Sequence, residues 1–83
     1  MFTPFTVSGC SLELLKIGEQ GIVTFYRTQD EEILKELISQ GIIIGTKLTV
    51  ENDFTDFLIQ IDNKYVLINR EVACIIYVRL LKN

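Results

Sequence analysis

The sequence predicts a mainly β fold, a small five-stranded barrel with one short helix, and three observations carry that expectation. Strand-length runs rich in β-branched and aromatic residues recur along the chain, a single amphipathic stretch interrupts them, and no strand–helix alternation of the kind a parallel sheet needs is present. The 83 residues are 48% apolar, which is material for one core, so residues 1–83 are expected to form a single domain.

Residues 1–10 read as an N-terminal arm. Its first part mixes aromatics, threonine and the lone proline Pro4, which favours extended backbone, with Phe2 and Phe5 laid against the barrel. Residues 11–15 are too short for a helix that stands alone. Gly18 and Gly21 then mark a tight turn or bulge, and residues 22–27 form the first long strand. Thr28 and Glu31 have capping-box spacing, and Asp30, Glu31 and Glu32 suit the positive end of a helix dipole. In the helix that follows, Ile33, Leu34, Leu37 and Ile38 share one stripe, and Gly41 stops it as a left-handed cap. Beyond the connector Ile42-Ile43-Ile44-Gly45-Thr46, strands are expected over residues 47–53, 57–61 and 64–69, with Asp62-Asn63 as a two-residue hairpin turn. Residues 72–80 supply the closing strand.

The formal charge is −3 and the eight Lys and Arg residues are scattered. A nucleic-acid surface needs a basic stripe, so none is expected. The longest apolar run, residues 72–78, is far shorter than the ~20 residues of a spanning helix, so no direct membrane insertion is expected. The first residues lack the charged and apolar segments of a signal peptide, so a cytoplasmic location is expected, with Cys10 and Cys74 reduced.

There is no histidine, so the commonest general base and transition-metal ligand is missing. Neither cysteine has a Cys-x-x-Cys partner, and Cys74, within an apolar run, reads as an inert core thiol. The acidic groups 30–32 and Glu51, Asp53, Asp56 read as helix capping and solvent-facing positions, with loose hard-cation ligation or a paired-carboxylate catalytic site as the alternatives. No glycine is followed by the Lys-Ser/Thr of a phosphate loop. No catalytic, cofactor-binding or metal-binding residue is therefore assigned, and the chain is read as a binding module, not an enzyme.

Surface chemistry is what remains. Along the closing strand Cys74, Ile76, Val78 and Leu80 share one face and Ile75, Tyr77, Arg79 and Leu81 the other. Only one face fills a small barrel. Likewise Ile42, Ile43 and Ile44 cannot all be buried at one turn, and a contiguous apolar patch marks a binding surface. Ile42, Ile43 and Ile44, extended by Tyr77 and Leu81, are the candidate partner-binding residues, while coverage of the patch by Phe2 and Phe5 is the alternative.

The order of these elements resembles the ferrous-iron transport protein A family (FeoA). The resemblance is carried by Leu12 and Leu15, Gly18 and Gly21, the segment Leu37-Ile38-Ser39-Gln40-Gly41-Ile42-Ile43-Ile44-Gly45, then Leu48-Thr49-Val50, and Ala73-Cys74-Ile75-Ile76-Tyr77-Val78. The resemblance implies an SH3-like barrel and turn or cap roles for Gly18, Gly21, Gly41 and Gly45. It also implies a cytoplasmic accessory protein that binds the membrane-embedded, GTPase-bearing ferrous-iron permease of the same system (FeoB). One departure is Ile44, which stands where the family has proline before Gly45 and is expected to loosen that turn. The same module occurs as the C-terminal domain of metal-responsive repressors, so a metal-sensing or metal-binding module is the alternative function. Homo-oligomerisation through edge strands is a third expectation.

Overall fold

The structure, a computed structural model, describes residues 9–81. The strands β1 (Gly9–Ser11), β2 (Gln20–Tyr26), β3 (Lys47–Asn52), β4 (Phe57–Ile61), β5 (Lys64–Ile68) and β6 (Ile76–Leu81) form one antiparallel sheet in the order β1-β6-β2-β3-β4-β5. Helix α1 (Glu31–Ser39) joins β2 to β3, and the one-turn helix α2 (Arg70–Ala73) joins β5 to β6. A single 3₁₀ turn, Leu12–Leu14, follows β1.

One sheet face is closed against itself. Val23, Leu48, Val50, Phe57, Ile59, Ile61, Ile68, Ile76 and Val78, from five different strands, meet Leu12, Leu15, Leu37, Ile42 and Ala73 in one buried cluster. A flat sheet would leave half of that set in water, so the sheet must curl. Two irregularities accommodate the curl: register shifts between Val23 and Phe25 against β6, and between Val50 and Asn52 against β4. Bulges of this kind bend a strand and sharpen its twist. The first also resets the alternation of β2, so that Val23 is buried and Tyr26 packs against the core while Phe25 lies half-exposed.

The mainly β class and antiparallel strands agree with the sequence reading, and the hairpin at Asp62-Asn63 is in place, with Asp62 at φ 55°. Four details differ. The arm contributes a sixth strand, since Gly9 and Cys10 pair with Arg79 and Val78; residues 1–8, with Phe2 and Phe5, lie outside the described residues. The cap of α1 is Asp30, whose side chain accepts from the Glu32 and Ile33 amides, whereas Thr28 accepts from Asp30 itself. On the α1 stripe Leu37 is buried but Ile38 is half-exposed. The closing strand begins at Ile76, because the Asn69 side chain accepts from the Val72 amide at 2.8 Å and starts α2 inside the apolar run. Cys74 therefore ends a helix at the surface and is not core.

Gly21 shows how tight the barrel is. A Cβ at Gly21 would sit 3.0 Å from Val78 Cβ and Cγ2, across the β2–β6 ladder. Gly21→Val is expected to destabilise the fold by about 1–3 kcal/mol through overpacking, read as a lower urea midpoint. An unchanged midpoint would mean that the two strands have room to part.

Candidate functional site

The end of α1 decides what the aliphatic connector can present. Gln40 is the last residue bonded in helical fashion, and Gly41 takes φ 88°. The Gly41 amide then donates to the Ile38 carbonyl at 3.0 Å and the Ile42 amide to the Leu37 carbonyl at 2.9 Å. This is the Schellman arrangement, in which a left-handed residue lets two successive amides bond back into the last helical turn. It turns the chain so that Ile42 enters the core beside Leu37, both essentially inaccessible. Ile42 is thereby corrected from partner-binding candidate to core residue.

Ile43 and Ile44 go the other way. The Thr46 amide donates to the Ile43 carbonyl at 2.9 Å and Gly45 has φ 97°, which makes Ile43–Thr46 a tight turn with its third residue left-handed. The turn is pinned to β2 on both sides: the Gly45 amide donates to the Val23 carbonyl at 2.8 Å, and the Val23 amide to the Thr46 carbonyl at 2.9 Å. Ile43 is 48% exposed and Ile44 57%. Two adjacent isoleucines thus stand at the surface on a turn closed by its own backbone hydrogen bonds.

Tyr26 completes the clamp. Its hydroxyl donates to the Ile42 carbonyl at 2.6 Å, and burial pushes its pKa up, an effect the nearby Ile44 backbone partly offsets. The turn that Ile44 was expected to loosen is closed by the Thr46-to-Ile43 bond.

Tyr77 lies across β2 from this turn. The bulge places Phe25 opposite Tyr77 with ring centroids 4.7 Å apart and 19° between planes. The Tyr77 hydroxyl accepts from Arg27 at 3.0 Å, and its carbonyl accepts from the Thr24 hydroxyl at 3.1 Å. The aliphatic turn is bonded to Val23 and the aromatic pair to Thr24, consecutive residues of β2. Leu81 is not part of this grouping, because the register sets it beside Gln20, four positions along β6 from Tyr77. Phe25, half-exposed, is the residue that sequence reasoning missed; regular alternation would have hidden it, and nothing in the sequence marks a bulge at Thr24.

Of the four glycines assigned turn or cap roles, Gly18, Gly41 and Gly45 have positive φ, and Gly21 serves close strand packing. Among the described residues no group of three or more Cys, Asp or Glu side chains is arranged to hold a metal ion. The Cys74 thiol bonds the Glu13 carboxylate, which favours the protonated form and pushes the thiol pKa up. Burial pushes the Cys10 thiol up as well. Neither cysteine is activated as a nucleophile. No helix among the described residues is long and apolar enough to cross a membrane.

A rolled antiparallel sheet around one core, with short helices at its connections, defines a small α+β module of the SH3-like class. The solved structures agree. An iron uptake regulatory protein (FeoA) matches with TM-score 0.81 at 22% identity, covering 88% of this chain and 97% of the other. A manganese-dependent transcriptional repressor matches with TM-score 0.82 at 24% identity, over 93% of this chain but 44% of the repressor. The FeoA domain matches residues 10–80, and a Leptolyngbya boryana protein named "Putative Fe(2+) transport protein A" is 37% identical over 79 residues, 94% of this chain and 96% of that one. The chain belongs to the FeoA domain family.

The Tyr26 contact has a pH signature. Folding raises the Tyr26 pKa above its ordinary value of 10.0, so the unfolded chain loses that proton first as the pH climbs. The contribution to stability is whole below pH 10 and is lost as the pH passes through the higher folded value. Tyr26→Phe is expected to cost about 0.5–1.5 kcal/mol at neutral pH, the worth of one hydrogen bond. It is also expected to flatten the alkaline fall of stability, measured by urea titration from neutral pH upward; an alkaline limb identical to that of the parent would contradict the assignment.

Proposed function

We propose that this protein is a cytoplasmic accessory and regulatory component of ferrous-iron uptake, acting by binding the GTPase-bearing membrane iron permease (FeoB) and carrying out no reaction itself. Family membership supports the iron-uptake setting. The observation that carries the binding role is the pair Ile43 and Ile44, half-exposed on a turn closed by its own hydrogen bonds. A preformed turn loses little conformational freedom when a partner covers it.

The magnitude indicates how far that contact goes. Burying an isoleucine fully is worth about 1.5–3 kcal/mol, and about half of each side chain is exposed here. Covering both therefore contributes roughly 2–3 kcal/mol, an anchor and not an entire interface. Phe25 and Tyr77, tied to the next residue of β2, supply the adjoining aromatic surface, and aromatic side chains are common anchors at interfaces.

Ile43→Asp combined with Ile44→Asp is expected to abolish co-purification with the permease from a membrane extract. The circular dichroism spectrum should be unchanged, since neither side chain belongs to the core. Retention of the permease by the double variant would rule out this docking surface.

A further inference from the structure

The far edge of the sheet presents a second surface that shares no residue with the Ile43–Ile44 turn. Among the described residues, strand β5 pairs with β4 alone. Because Ile61 and Lys64 flank a two-residue hairpin loop, they form a hydrogen-bonded pair, and bonding to β4 then falls on Lys64, Val66 and Ile68. The N–H and C=O groups of Tyr65 and Leu67 point outward from the sheet. Both side chains are well exposed, at 60% and 62%.

Natural sheets guard such edges with prolines, bulges, central charges or a covering element. Here β5 reads Lys64-Tyr65-Val66-Leu67-Ile68, its register against β4 is unbroken, and its only charge is at its first residue. Helix α1 does not close over the edge. A groove of about 410 Å³ opens between them, with Ile33, Leu67 and Val72 among its apolar lining. Asp30, Glu32 and Glu36 line it on the α1 side, and among the described residues no lysine or arginine lines it.

We propose that this groove takes an extended, basic segment of a partner protein, which adds to β5 as a further strand. Its backbone pairs with Tyr65 and Leu67, its apolar side chains pack on Leu67 and Ile33, and its Lys or Arg side chains meet Asp30, Glu32 and Glu36. Strand addition of this kind draws affinity from main-chain hydrogen bonds and specificity from alternate side chains. The acidic wall selects among occupants. A second copy of this chain, itself of net charge −3, would bring two acidic walls toward one seam. A basic strand neutralises the wall.

The test uses the full chain and a synthetic heptapeptide, Lys-Val-Lys-Val-Lys-Val-Lys, with the Glu-Val counterpart as control. In a heteronuclear NMR titration the basic peptide is expected to shift the Tyr65, Leu67, Ile33 and Glu36 amides and to slow hydrogen exchange at Tyr65 and Leu67. Affinity should fall with added salt, as it does for exposed charge pairs. Glu32→Lys with Glu36→Lys should weaken binding about tenfold or more, since exposed pairs are replaced by repulsion. Leu67→Pro, which removes an outward N–H from an edge strand where proline is tolerated, should abolish the exchange protection. Ile43→Asp with Ile44→Asp should leave peptide binding intact, which separates failure here from failure of the permease contact. Equal binding of the acidic peptide, shifts confined to other surfaces, or concentration-dependent self-association that Leu67→Pro removes would each overturn the proposal.

Discussion

The Ile42 amide bonds the Leu37 carbonyl across the end of α1, and the side chains of both residues enter the same core. That pairing lets one glycine and one buried isoleucine do several things at once. It stops the helix, reverses the chain and draws α1 against the rolled sheet. It also sets the phase of the residues that follow, so that Ile43 and Ile44 leave the core immediately after Ile42 has joined it. A single residue inserted here would exchange buried for exposed positions, and the aliphatic turn would lose either its anchor or its surface.

The rest of the site is organised around that reversal. Gly45 at positive φ lets the turn close within four residues, and Val23 holds it from both its amide and its carbonyl. Just beyond Val23 the β2 bulge carries Phe25 outward onto Tyr77, while Tyr26 packs inward and its hydroxyl reaches the Ile42 carbonyl. The bulge thus serves the core and the surface together: it bends the strand as the barrel needs, and it gives one strand neighbouring residues with opposite tasks.

Much of this was legible in the sequence, for physical reasons that differ by element. The β-branched runs of β2 to β5, the amphipathic stripe around Leu37 and the left-handed requirement at Gly41 are local signals, and each appears where expected. The need to expose part of the triple isoleucine followed from volume alone. What could not be read was which isoleucine stays inside, since that depends on the bond from Ile42 back to Leu37. Nor could the bulge at Thr24 or the α2 turn be read. Asn69 caps α2 from outside the apolar run, and the run's composition suits a strand as well as a helix. Cys74 was misplaced for the same reason: apolar neighbours suggested burial, whereas the helix end turns its thiol toward Glu13.

A preformed docking surface requires the aliphatic turn to be part of the core's cooperative unit, not a loop that folds when a partner arrives. Native-state amide hydrogen exchange tests this directly. The Ile42, Gly45 and Thr46 amides, bonded to Leu37, Val23 and Ile43 respectively, should exchange only through global unfolding, with the same free energy as the Val23 amide in β2. Fast exchange of those three amides while Val23 stays protected would show that the turn opens on its own, and would contradict a preformed docking surface.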